Sequence, residues 1–245
     1  LTGNTIEIAK EIIPPGRSKR IDIPVSRLPT QTLLSLPVKV LNGVEPGAKL
    51  WLSAAIHGDE LNGVEIIRQV LATIELEKLR GTLIAVPIVN VFGFIEQSRY
   101  LPDRRDLNRS FPGSETGSLA SRLASLFIRE IVNQSTHGID LHTAAIHRTN
   151  LPQIRANLED EATYNCAKAF NAPVMLHSNT RDGSLRQAAI KKDIPVLLYE
   201  SGEALRFDCT AIDFGVRGIL RVMEYLNMYE FPLKPPNSES RQVHQ

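Results

Sequence analysis

Apolar residues follow two different periods along this chain, and the change between them divides it. From 20 to 45 the period is two: Ile21, Ile23 and Val25 alternate with other residues, and Leu34, Leu36, Val38 and Val40 do so again. Such alternation predicts half-buried strands. Pro37 lacks the backbone N–H that a ladder needs, so the second run is expected at an edge or a bulge. Asn42-Gly43 and Pro46-Gly47 then read as turns.

Beyond them strands alternate with helices. The run Leu50 to Ile56 feeds a helix whose face carries Ile67, Val70, Leu71 and Ile74, and a strand from Thr82 to Ile88 follows. Leu119, Leu123, Leu126, Phe127 and Ile131 fall at helical spacing before a short strand from Gly138 to Leu141. A helix near 161–170, a strand from Val174 to His177, a short helix from Leu185 to Ile190 and a strand from Pro195 to Tyr199 continue the series. Ile212, Val216, Ile219, Met223 and Leu226 mark the last helix. This order predicts a three-layer α/β/α fold, with a mixed, mostly parallel, doubly wound sheet after an N-terminal β segment at 20–45. Residues 1–230 read as a single domain. Residues 231–245, with Pro232, Pro235 and Pro236 followed by polar residues, read as a polar tail or linker.

Composition narrows the function classes. The 245 residues are 42% hydrophobic and 22% charged, as in an ordinary globular chain, and a net charge of +1 gives no electrostatic reason to expect nucleic acid. No apolar run is long enough for a membrane span, and Leu1-Thr2-Gly3-Asn4 has neither the basic nor the apolar region of a signal peptide. Cys166 and Cys209 stand far apart, outside any CxxC spacing, so reduced thiols and a cytoplasmic location are the expectation. Neither a phosphate-binding Gly-Lys-Ser/Thr loop nor GxGxxG occurs.

The candidate chemistry sits at strand exits, where sheets of this kind gather ligands. His57-Gly58-Asp59-Glu60 follows the run ending at Ile56, and Asp140-Leu141-His142 ends a later one. Two imidazoles and a carboxylate are the ligand set of a catalytic zinc that keeps its fourth position for water. Asp140 is then placed to orient a ligand imidazole. Asp59 and Glu60 equally suit the cap of the following helix. Between Arg99 and Arg109, four arginines face two aspartates in a loop bounded by Pro102 and Phe111-Pro112-Gly113. Because arginine holds carboxylates bidentately, such a loop beside a metal suits an anionic substrate.

His57-Gly58-Asp59-Glu60, Asp106-Leu107-Asn108-Arg109, Asp140-Leu141-His142-Thr143 and Glu200-Ser201-Gly202 occur in the order of the succinylglutamate desuccinylase/aspartoacylase family. The chain resembles that branch of the zinc carboxypeptidase superfamily from about Leu50 to about Leu226. Gly183-Ser184-Leu185-Arg186 and His147-Arg148-Thr149-Asn150-Leu151-Pro152 resemble in particular its bacterial predicted deacylases. The resemblance implies a zinc-carboxypeptidase-like fold and one Zn2+ per chain on His57, Glu60 and His142, with Asp140 behind one of them. It implies Glu200 as general base and acid, and Arg99 as the group that polarises the scissile carbonyl. Asn108 and Arg109 would then hold a substrate carboxylate, and Arg186 would be a further anion contact. The implied partner is a small anionic acyl-amino-acid-like substrate, with neither nucleic acid nor membrane, and a homo-oligomer is left open. Family members often extend into a smaller β-rich C-terminal region, whereas this chain runs into the polar tail after Tyr229.

The chemistry of amide hydrolysis asks for the same parts: an activated water, a carbonyl polariser and an acid for the amine. Glu200 follows the apolar strand Val196 to Tyr199, so partial desolvation is expected to raise its pKa. The competing expectation is a strand-end glutamate paired with a nearby arginine. The leading reading is a deacylase that cleaves a small N-acyl amino acid. The alternatives are a metallocarboxypeptidase acting on peptide C-termini and a metal- or ligand-binding protein without catalysis.

Overall fold

The first two strands are too short to show a period. The computed structural model describes residues 4–232 and 240–244. In it β1 (Ile6–Ile8) and β2 (Glu11–Ile13) form a separate hairpin turned by Ala9 and Lys10, both at positive φ. A two-residue hairpin loop needs that conformation to match the strand twist. The hairpin buries Ile6, Ile8 and Ile13.

The alternating segment becomes β3 (Arg17–Arg27) and β4 (Leu33–Asn42), and β5 (Glu45–Ala54) follows. Then come α1 (Asn62–Thr73), β6 (Arg80–Val86), α2 (Val91–Ile95), α3 (Leu119–Glu130), β7 (His137–Ala144) and β8 (Asn150–Ala156). The chain continues through α4 (Glu161–Phe170), β9 (Val174–His177), α5 (Leu185–Ile190), β10 (Val196–Glu203), α6 (Cys209–Tyr225) and β11 (Arg241–His244). Nine strands form one sheet in the order β11-β9-β8-β10-β7-β5-β6-β4-β3. The pairs β3/β4, β4/β6 and β8/β10 are antiparallel and the other five parallel, so the sheet is mixed and mostly parallel.

Two apolar clusters cover its faces. One joins Ile66, Ile67 and Val70 of α1 to Phe170 of α4 and Ile219 and Met223 of α6. The other joins Leu123 and Phe127 of α3 to Leu185 and Ala189 of α5 and the isoleucines of the hairpin. These are the two outer layers of the expected α/β/α sandwich.

Three local expectations change, and one strand is new. Pro37 lies in an inner strand, but opposite Asp22 of β3, whereas β4 meets β6 only over Lys39–Asn42. Its missing N–H therefore costs no bond to β6. Pro46-Gly47 is not a turn; it lies inside β5, where the register with β6 shifts between Glu45 and Lys49. The segment 150–156 is a full strand, with Pro152, Ile154 and Ala156 buried on alternate positions. Finally, the segment expected as a tail supplies Arg241–His244 to the sheet edge as β11, because β9 offers a free parallel edge there. Among the described residues no helix is long and apolar enough to cross a membrane.

Candidate metal centre and surrounding cavity

Ala55 leaves β5 with φ 49°, a left-handed conformation that turns the chain sharply away from the sheet. Val89 N and Asn90 N donate to Ala54 O and Ala55 O and hold the exit in place. Gly58 is needed for space: a Cβ there would stand 1.9 Å from the carbonyl carbon of Gly93 in α2. The turn closes with Glu60 N donating to His57 O at 3.1 Å, which swings both side chains back over the end of β7. Leu61 is the cap residue of α1 and makes no capping side-chain bond, so neither Asp59 nor Glu60 serves that helix as its cap.

His57 Nδ1 lies 2.7 Å from Glu60 Oε1, and His142 Nδ1 lies 2.8 Å from Glu60 Oε2. The three residues are 3–5% exposed, and a ligand atom from each falls within 4.8 Å of the others. Both Nε2 atoms have acceptors of their own. His142 Nε2 donates to Asp140 Oδ2 at 2.8 Å and His57 Nε2 to Asp106 Oδ1 at 3.1 Å, a tautomer assigned from these partners. Trp51 Nε1 donates to Ser53 Oγ and Ser53 Oγ to Asp140 Oδ1, which fixes the carboxylate from beneath. Nδ1 of each ring is thus left for the centre, and the donor set of two imidazole nitrogens and one carboxylate fits a zinc ion.

Burial opposes charge on both rings, but Glu60 and Asp106 outweigh it at His57 and Asp140 and Glu60 outweigh it at His142. Both imidazoles sit above the ordinary histidine value, His142 well above it. Burial also pushes the Glu60 carboxyl upward, yet His142 and His57 together hold it below the usual carboxylate range.

Around this cluster lies a cavity of about 580 Å³, in which Arg99, Asn108, Arg109, Arg186 and Glu200 line the wall beside His57, Glu60, Asp140 and His142. Arg99 donates to Asp106 Oδ2 through Nη2 at 2.9 Å and comes within 3.8 Å of Glu60 Oε1. Asp106 therefore joins a histidine to an arginine, a role its sequence position did not disclose, although a ligand imidazole always needs an acceptor for its second nitrogen. Asn108 is buried and accepts from Leu185 N through Oδ1 at 3.0 Å, which docks the arginine loop on the start of α5. Arg109 is exposed at the cavity wall. Arg186 is 7% exposed and donates to Ser178 O, Ser178 Oγ and Asn179 O. It has no carboxylate partner among the described residues, and burial and the charge of Arg155 lower its pKa to about 10. His177 is not among the cavity residues; its Nδ1 accepts from Leu158 N.

Glu200 stands beside His142 in the parallel ladder of β7 and β10. Its Oε2 lies 2.7 Å from Arg155 Nε, so the arginine partner of the competing expectation is present. Arg155 went unnoticed in the sequence because β8 did. The alternation of Pro152, Ile154 and Ala156 was the available signal.

A mixed α/β sheet with a buried His-Glu-His cluster at its strand ends and an arginine-lined cavity above it defines the class: an α/β domain with a candidate metal centre. The chain belongs to the succinylglutamate desuccinylase/aspartoacylase family, whose catalytic-domain profile matches residues 46–226. It is 32% identical over 144 residues to the N-alpha-acetyl-L-2,4-diaminobutyric acid deacetylase of Halomonas elongata. That match spans 56% of this chain and 42% of the relative, less than half of that protein's length. Among solved structures, the succinylglutamate desuccinylase/aspartoacylase from Rhodobacter sphaeroides is 26% identical with a TM-score of 0.80, over 93% of this chain and 71% of that one. The product-bound ectoine utilization protein EutE of Ruegeria pomeroyi is 25% identical with a TM-score of 0.84, over 95% of this chain and 74% of that one.

Proposed function

We propose that this protein is a zinc-dependent deacylase that hydrolyses the amide bond of a small N-acyl amino acid. The observation that carries the reading is the position of Glu200 beside His142, in one cavity with the buried triad and Arg99. The likeness to a deacetylase of an N-acetylated amino acid supports the reaction class. A zinc ion held by His57, Glu60 and His142 would supply a water acidified to a pKa of about 7 and a Lewis acid for the carbonyl.

The remaining steps fall to the side chains. Glu200 accepts the proton of the attacking water and returns it to the leaving amine. Arg99, held by Asp106, points positive charge at the carbonyl oxygen as it becomes negative. Asn108 and Arg109 take the substrate carboxylate at the wall of the cavity, and Arg186, a buried cation without a carboxylate partner among the described residues, takes a further anionic group. The two unpaired cysteines fit a reducing cytoplasmic setting.

The test is a panel of N-acyl amino acids and short peptides offered to zinc-loaded protein. Release of carboxylate from acyl amino acids supports the proposal. Folded, zinc-loaded protein that cleaves none of them, or that cuts only peptide C-termini, refutes it.

A further inference from the structure

We infer that Arg155 is the positioning residue of Glu200, holding one carboxylate oxygen so that the other is presented to the triad. This rests on the deacylase reading of the same site.

The geometry comes from the antiparallel strand inserted next to β10. In the ladder of β8 and β10, Glu200 stands opposite Gln153 and Leu198 opposite Arg155. Residues in register or two apart share a face of a sheet, and long side chains reach along the diagonal. Arg155 does so, bringing Nε to 2.7 Å from Glu200 Oε2, and Gln153 Nε2 donates to the same oxygen at 3.4 Å. Both contacts fall on Oε2 and no described hydrogen bond or ion pair falls on Oε1. A carboxylate drawn to a cation and an amide at one oxygen is biased against the rotation that would interchange the two. The other oxygen is then the one free to move a proton.

Arg155 cannot be read as a solvated surface charge. It lines the cavity, its side chain is 29% exposed and that of Glu200 is 19% exposed. Nor is it a bidentate clamp, because its Nε makes no aligned hydrogen bond despite the short approach. The contact is one of charge and position. It is also the only ion pair of Glu200 among the described residues.

A substrate-binding arginine and a positioning arginine differ in what their loss changes. In Arg155→Gln we expect kcat to fall by roughly 10- to 100-fold while KM stays within about 3-fold, with zinc content unchanged. Arg155→Lys should restore part of kcat, since it keeps a cation within reach of Oε2. In a Glu200→Gln background, which cannot use the tether, Arg155→Gln should leave calorimetric affinity for the uncleaved substrate unchanged. A rise in KM at constant kcat, or a loss of affinity in the Glu200→Gln background, would overturn the inference and make Arg155 a substrate contact. If the wild type cleaves nothing, the deacylase reading fails separately. The melting temperatures of the two single variants and the double variant then decide: non-additive losses support the held pair, and additive losses refute it.

Discussion

Asp106 Oδ1 lies 3.1 Å from Nε2 of His57, the ring nitrogen turned away from Glu60, while Asp106 Oδ2 takes Arg99 at 2.9 Å. One carboxylate therefore orients a candidate metal ligand and the arginine beside it. Asp106→Ala should weaken zinc binding by roughly 10- to 100-fold, the usual range for a partner of a ligand imidazole. Competition with a chelator of known affinity measures this. An unchanged zinc affinity would separate Asp106 from the metal centre.

Glu200 supplies no atom to the buried triad, so zinc binding by Glu200→Gln should equal that of the unsubstituted protein. Turnover should fall by roughly 10²- to 10⁴-fold, the share that a general base contributes. Kinetics and metal analysis on the same preparation check both halves. Loss of zinc together with activity would make Glu200 a ligand instead.

Gly58→Ala tests the packing that turns His57 and Glu60 toward each other. Its Cβ would meet Gly93 C at 1.9 Å and Phe94 N at 2.2 Å, both backbone atoms that cannot step aside as a side chain can. The substitution should cost about 1–3 kcal/mol or more in chemical denaturation, as overpacking does. A cost near zero would show that α2 is free to move away.

The two thiols should react very differently. Burial pushes the Cys166 thiol up to about 11, so it remains protonated and unreactive at pH 8. Cys209 is exposed at the start of α6. Maleimide at pH 8 should therefore label one thiol quickly in the native protein and the second only after unfolding. Rapid labelling of two thiols in native protein would contradict the packing of α4.

Strands and helices with a sustained period were legible in the residues, because a face that must be buried repeats at the spacing of its own backbone. The α/β order from β5 to α6, apart from the short helix α2 and the strand β8, and the grouping of His57, Glu60, Asp140 and His142 at strand exits follow from that local pattern together with the motifs. The hairpin of Ile6–Ile8 and Glu11–Ile13 was not legible, since three-residue strands show no period and its turn, Ala9-Lys10, carries neither glycine nor asparagine. The strand from Arg241 to His244 was hidden for another reason: its partner, Val174–His177, lies more than sixty residues earlier, and the free edge exists only once the sheet is assembled. The same holds within the site. Asp106 meets His57 across forty-nine positions and Arg155 meets Glu200 across two neighbouring strands. Contacts of that kind are set by strand order, which depends on how distant faces pack, and no local run of residues carries that information.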